Sequence, residues 1–125
     1  MRNKILLFEN EQNSVESIAT QIYSWGYQVI RTQTVDALLN NISNEEVGVI
    51  VFDSTMPDNE RIELLTRIKA RRSDIPTIIF SACFDQKIMR EAGRLKIVAF
   101  IPRTSTFSNP ESTLRMTLDS ICKQN

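Results

Sequence analysis

Five short apolar runs punctuate the chain: Lys4–Phe8, Tyr27–Arg31, Val47–Phe52, Pro76–Phe80 and Ile97–Ile101. Four of the five are nearly uninterrupted, so they offer apolar side chains on both parities of a strand. That pattern predicts strands buried on both faces, as in a parallel sheet covered by helices. The segments between them carry helical spacing. Ser14–Trp25 places Val15, Ile18, Ala19 and Ile22 on one stripe, with Asn13 or Ser14 as a cap and Gly26 as a stop. Thr34 is placed to cap a helix carrying Val35, Leu38, Leu39 and Ile42. Glu60–Arg72 carries Ile62, Leu65 and Ile68, and Gln86–Gly93 reads as a short helix. Asn109-Pro110 reads as an N-cap followed by proline in the first turn, opening a helix to about Lys123 with Leu114, Leu118 and Ile121 inward.

The order is a strand then a helix, five times over. Crossovers between parallel strands are right-handed, and an open, doubly wound α/β sheet is the packing solution this order favours. Five units are too few for an eight-fold barrel. A length of 125 residues fits one domain, taken as 1–125, and a 42% hydrophobic content supports a packed core.

Charge and motifs narrow the function. Fifteen basic and fifteen acidic residues give a formal net charge of zero, unlike a basic nucleic-acid binder, so no direct nucleic-acid contact is expected. The basic stretch Arg67–Arg72 reads as a solvated helix end. No apolar run reaches membrane-spanning length and the start lacks a signal-peptide pattern, so a cytoplasmic chain with Cys83 and Cys122 reduced is expected. There is no histidine, which excludes Ser-His, Cys-His and His-ligated zinc mechanisms within the chain. Three glycines form neither a Walker loop nor a Gly-x-Gly-x-x-Gly turn.

Ligands of open parallel sheets bind beyond the carboxyl ends of the strands. The residues there are Glu9, Asn10 and Glu11 after the first run, Asp53 after the third, Ser81 and Ala82 after the fourth, and Pro102 and Arg103 after the fifth. Each alone is an ordinary polar strand end. Together they would bring carboxylates, an amide, a hydroxyl and a guanidinium to one crevice. Such oxygen donors suit a hard cation such as magnesium. A hydroxyl and a fixed cation suit phosphoryl oxygens, and a carboxylate is itself a nucleophile for acyl phosphate formation.

These residues resemble the receiver domain of two-component response regulators, over essentially the whole chain. Lys4-Ile-Leu-Leu-Phe-Glu-Asn-Glu11 resembles the first strand with its acidic pair, and Asp53-Ser-Thr-Met-Pro57 the phosphoacceptor strand end. Ile75–Ala82 resembles the fourth strand with its Ser-Ala ending. Ala92-Gly93 followed by Phe100-Ile-Pro-Arg103 resembles the segment with the switch aromatic and the basic residue. The resemblance implies a flavodoxin-like fold with strand order 2-1-3-4-5. It implies that Asp53 accepts a phosphoryl group from a histidine kinase, a phosphotransfer protein or a small phosphodonor. It implies magnesium held by Glu9, Asp53 and the Thr55 carbonyl, with Asn10 reaching a bound water. Ser81, with Ala82 beside it, and Arg103 would meet the phosphoryl oxygens. Phe100 would follow Ser81 inward and reshape a face of the fourth helix, fifth strand and fifth helix, where an output protein or a second copy docks. Thr55 and Cys83 would tune water access. The implied activity is signalling, not enzymatic turnover.

The chain departs from the family at defined places. Glu9-Asn10 stands for the usual pair of aspartates, which weakens or removes the magnesium site. Arg103-Thr104 stands for the usual Lys-Pro. An arginine fork is able to pair bidentately with Asp53 or Glu9 and take the metal's place. A non-proline cis bond costs about 3 kcal/mol, so the loop after the fifth strand takes another path. Asp58-Asn59-Glu60-Arg61 stands for Gly-x-Asp-Gly, which predicts a reshaped start to the third helix. Two functions follow. The first is a phosphorylatable switch with no output domain of its own, expected because no linker follows Lys123. The alternative is a pseudo-receiver that binds proteins but neither magnesium nor phosphate.

Overall fold

The computed structural model describes residues 4–10, 17–82, 85–104 and 109–122. Ten elements alternate along the chain: β1 (Lys4–Glu9), α1 (Ile18–Ser24), β2 (Gln28–Thr32), α2 (Val35–Asn41), β3 (Val47–Asp53), α3 (Asp58–Arg71), β4 (Thr77–Ser81), α4 (Gln86–Arg90), β5 (Ile97–Pro102) and α5 (Pro110–Cys122). The strands form one parallel sheet in the order β2-β1-β3-β4-β5, as the resemblance implied.

Strand parity explains the two-sided core. Ile5 and Leu7 of β1 point with Val49 and Val51 of β3 and Ile78 and Phe80 of β4 into a cluster closed by Ile18 and Ile22 of α1 and Leu114 and Leu118 of α5. Leu6, Phe8, Ile50, Phe52 and Ile79 point the other way, against Leu38 and Leu39 of α2, Leu64, Leu65 and Ile68 of α3 and Ile88 of α4. The unbroken apolar runs are thus strands with a covered face on each side. Among the described residues, no helix is long and apolar enough to cross a membrane.

Several boundaries differ from the sequence reading. Strand pairing continues past the apolar runs at β1, β3, β4 and β5, so Glu9, Asp53, Ser81 and Pro102 are the last residues of their strands. The first helix is capped by Ser17, whose side chain accepts from the Ala19 N–H at 3.0 Å. The expected caps Asn13 and Ser14 lie outside the described residues. The third helix starts at Asp58, two residues before the expected Glu60, and ends at Arg71. With no glycine to interrupt it, the backbone turns directly into a helix whose first turn carries the carboxylates Asp58 and Glu60, a favourable match to the helix dipole. The stripe this helix buries is Arg61, Leu64, Leu65 and Ile68, while the expected Ile62 is only half-buried. The fourth helix stops at Arg90, short of the expected Gly93. Thr34 and Asn109 cap α2 and α5 as expected, accepting from the N–H groups of Ala37 and Ser112, each at 3.1 Å. Lys123, the expected end of α5, lies outside the described residues.

One ionisable group packs under the lower edge of the sheet. Lys69 of α3 reaches the Ile75 carbonyl and the Thr77 hydroxyl. Burial, reinforced by the nearby Lys96 charge, pulls its ammonium down to about 8. In the unfolded chain this amine keeps its ordinary value near 10.5, so the folded state sheds the proton first. Folding is then favoured progressively as pH rises from about 8 towards 10. Comparing wild type with Lys69→Met by urea unfolding at pH 7, 8, 9 and 10 should show the wild type gaining stability relative to the variant across that range. A gap that stays constant with pH contradicts the assignment.

Candidate functional site

The register of the sheet assembles the site. Glu9 pairs with Asp53 across β1 and β3, and Ser81 pairs with Pro102 across β4 and β5. The Arg103 N–H donates to the Ser81 carbonyl at 3.0 Å, extending that ladder by one residue. Residues 9, 53, 81 and 103 therefore share the carboxyl rim of the sheet. Glu9, Asp53, Ser54 and Ser81 are buried there, each no more than 4% exposed.

Arginines pair with both carboxylates. Arg103 Nη1 donates to Asp53 Oδ2 at 2.7 Å and to Oδ1 at 2.9 Å, while its guanidinium lies 5.7 Å from the Phe80 ring centre. Of the two partners foreseen for Arg103, Asp53 is the one it meets. Glu9 instead takes Arg31 Nε and the Ser17 hydroxyl, both on Oε1 at 2.7 Å. Arg31 comes from β2, where it stands opposite Leu7 in the register.

A second layer is hydroxyl and amide. Ser81 Oγ donates to the Ser54 carbonyl at 2.8 Å, and Ser54 Oγ donates to Asn10 Oδ1 at 2.7 Å. The Met56 N–H closes the turn on Ser54 Oγ at 3.1 Å. Thr55 and Ala82 are exposed beside this layer, and Phe100 is half-buried against the α2, α3 and α4 side of the core. Cys83 lies outside the described residues. No cis peptide bond occurs among the described residues.

The donor set expected for magnesium was Glu9, Asn10, Asp53 and the Thr55 carbonyl. In this arrangement most of its side-chain oxygens are already engaged by donors. Both Asp53 oxygens hold Arg103, one Glu9 oxygen holds Arg31, and the Asn10 oxygen holds Ser54. Glu9 Oε2 is buried with no hydrogen-bond partner among the described residues, which leaves one carboxylate oxygen at the rim that no guanidinium or hydroxyl engages. No group of three acidic, cysteine or histidine side chains able to hold a metal occurs among the described residues. Two guanidinium groups beside the same carboxylates would also repel a dication.

Sequence reasoning missed Arg61, Ser54, Arg31 and Asp58. Arg61 is 1% exposed and donates to the Met56 carbonyl at 2.7 Å and Ser81 Oγ at 3.3 Å. A signal was present: Arg61 occupies the first position of the stripe 61, 64, 65, 68, where only an apolar or an internally paired residue belongs. Asp58 Oδ2 accepts from the Ile88 and Asp85 N–H groups at 3.2 and 3.4 Å. Burial and the bond with the Asp85 carboxyl raise the Asp58 carboxyl above its usual range, and that bond holds Asp85 below it.

Comparison with known proteins gives concordant findings. The family model of the response regulator receiver domain matches residues 5–114. The DNA-binding transcriptional regulator NtrC of a Bradyrhizobium species is 31% identical over 78 residues, 62% of this chain and 16% of NtrC. The transcriptional regulatory protein FixJ of Bradyrhizobium diazoefficiens is 28% identical over 102 residues, 82% of this chain and 50% of FixJ. The chain thus spans half or less of these relatives' lengths. The solved structure of chemotaxis protein CheY4 of Vibrio cholerae superposes with a TM-score of 0.75, covering 97% of this chain and 99% of that one. At 16% identity that likeness speaks for the fold.

The Asp53–Arg103 pair has a measurable energetic signature. Side-chain exposure is 5% for Asp53 and 27% for Arg103. Arg103→Met should cost about 2 kcal/mol, less than the ~3–5 kcal/mol of a wholly buried pair because the guanidinium keeps some water contact. Adding Asp53→Asn should recover part of the loss, since no uncompensated carboxylate then remains. Strictly additive losses in a urea-unfolding double-mutant cycle would show the two side chains to be uncoupled.

Proposed function

Because the chain belongs to the response regulator receiver domain family of two-component systems, we propose that it signals by protein contact, with its acidic pocket closed by arginine in place of magnesium. The observation that carries this reading is the contact of Arg103 with both oxygens of Asp53. A guanidinium is permanently charged and does not dissociate into solvent as a metal ion does. It neutralises the buried carboxylate at any magnesium concentration.

The contact surface is the face of α4, β5 and α5. Four large apolar side chains are exposed among the described residues, and three of them, Met89, Val98 and Met116, lie one on each of these elements. Exposed apolar side chains on these elements are surface that a protein partner would cover. The balanced charge of the chain supports a protein partner over nucleic acid. The occupant in this reading is an output protein, with a second copy of the chain as the competing outcome.

A second reading keeps phosphoryl transfer. It is favoured by Asp53, Glu9 and Ser81 lying on one rim. An Asp53 oxygen would attack phosphorus, the bond to the donor's histidine nitrogen would break, and Arg103 would turn its fork to the phosphoryl oxygens.

Magnesium with acetyl phosphate separates the two. The first reading expects an unchanged intact mass and no movement of the Glu9, Asn10, Asp53 and Thr55 amide resonances as magnesium is titrated. A gain of one phosphoryl group that disappears in Asp53→Asn overturns it and establishes the second.

A further inference from the structure

Arg61 stands apart from the ion pair of Asp53 and Arg103 but bonds to the framework around it, through Ser81. Its side chain is 1% exposed, in the first turn of α3. Nε donates to the Met56 carbonyl and Nη2 to Ser81 Oγ, while Nη1 lies 3.9 Å from Asp58 Oδ1. Asp58 passes the link on, since its other oxygen accepts from the Asp85 and Ile88 N–H groups at the start of α4. Ser81 passes it the other way, to the Ser54 carbonyl, and Ser54 Oγ reaches Asn10. One side chain thereby ties the ends of β1, β3 and β4 to the first turns of α3 and α4.

The chemistry of this residue suits such a task. A guanidinium carries a fixed charge and five donors in one plane, so it gathers several oxygens at once without leaving its site. The Ser81 hydroxyl has a single proton, which is committed to Ser54, and it also accepts from Arg61. Moving Ser81 means breaking two buried hydrogen bonds together.

We propose that Arg61 is a resident cation that does the organising work of a bound metal: it fixes Ser81 and, through Asp58, holds the start of α4, so that the α4 part of the docking face keeps one conformation. This deepens the metal-free reading above and rests on it. Arg61 acts as a positioning residue for the docking face and touches no ligand.

Hydrogen exchange on the full chain tests it, with wild type, Arg61→Met, Arg61→Lys and Asp58→Ala compared at one pH. Arg61→Met should speed exchange at the Gln86–Arg90 amides at least about tenfold, with β1 and α5 little changed, because only a local unit is released. Arg61→Lys should restore part of the protection. Asp58→Ala should release the Asp85 and Ile88 amides and leave β4 protected. If Arg61→Met does not fold, Asp58→Ala and Arg61→Lys carry the test by themselves. Uniform acceleration over the domain, or none at α4, overturns the proposal and leaves Arg61 as general core support. Repeating the wild-type measurement with magnesium separates the two ideas. Protection gained at residues 53–55 defeats the metal-free reading, whereas no magnesium effect together with uniform acceleration in the variants defeats only the role of Arg61.

Discussion

Parallel pairing of β1 with β3 sets Glu9 opposite Asp53 in the register, and both are buried. Neighbouring strands lie about 5 Å apart, where two unit charges repel by about 3 kcal/mol at an effective dielectric of about 20. Burial adds a desolvation cost for each. The rim of this sheet therefore requires positive charge, and what supplies it decides the character of the domain. Here Arg103 comes from the end of β5 and Arg31 from β2, one for each carboxylate.

That solution has consequences for everything nearby. A metal ion would draw Glu9, Asp53 and a carbonyl to one point. Two arginines instead pull the carboxylates towards opposite sides of the rim, Glu9 to the β2 edge and Asp53 to the β5 side. The space between is bridged by neutral groups, Ser54 with Asn10 and Ser81 with Ser54. Behind them Arg61 supplies a third guanidinium, which meets carbonyl and hydroxyl oxygens and has the Asp58 carboxylate close by. The rim is thus a chain of short polar links in which most acceptors already have donors. Such networks are rigid when complete and costly to break in part.

Rigidity at the rim bears on the opposite end of the signalling path. The α4 helix is only five residues long, and its start is held by Asp58 from α3. A helix that short has little stability of its own. Its position depends on Ile88 in the core and on the cap contacts, so whatever sets Asp58 also sets the exposed Met89 beside it. In the role proposed for Arg61, the link from the pocket to this surface runs through Ser81, Arg61 and Asp58.

Much of the fold was legible in the linear chain. Apolar runs on both parities announced a parallel sheet covered on two sides, and polar residues following those runs marked the rim. The replacements Asn10, Arg103 and Thr104 were visible at once, and they showed that the charge at the site had changed. The sequence did not reveal which carboxylate each arginine would meet, because that depends on strand order and register. Arg31 ends an apolar run in the sequence, and its link to Glu9 exists only once β2 lies beside β1. The inward role of Arg61 shows only once α3 begins at Asp58 and turns residues 61, 64, 65 and 68 inward. Local chemistry fixes which side chains prefer burial and which turns they cap. Partnerships between charges separated by tens of residues exist only once the sheet has brought its strand ends together, so tertiary structure alone decided that Arg103 meets Asp53 and Arg31 meets Glu9.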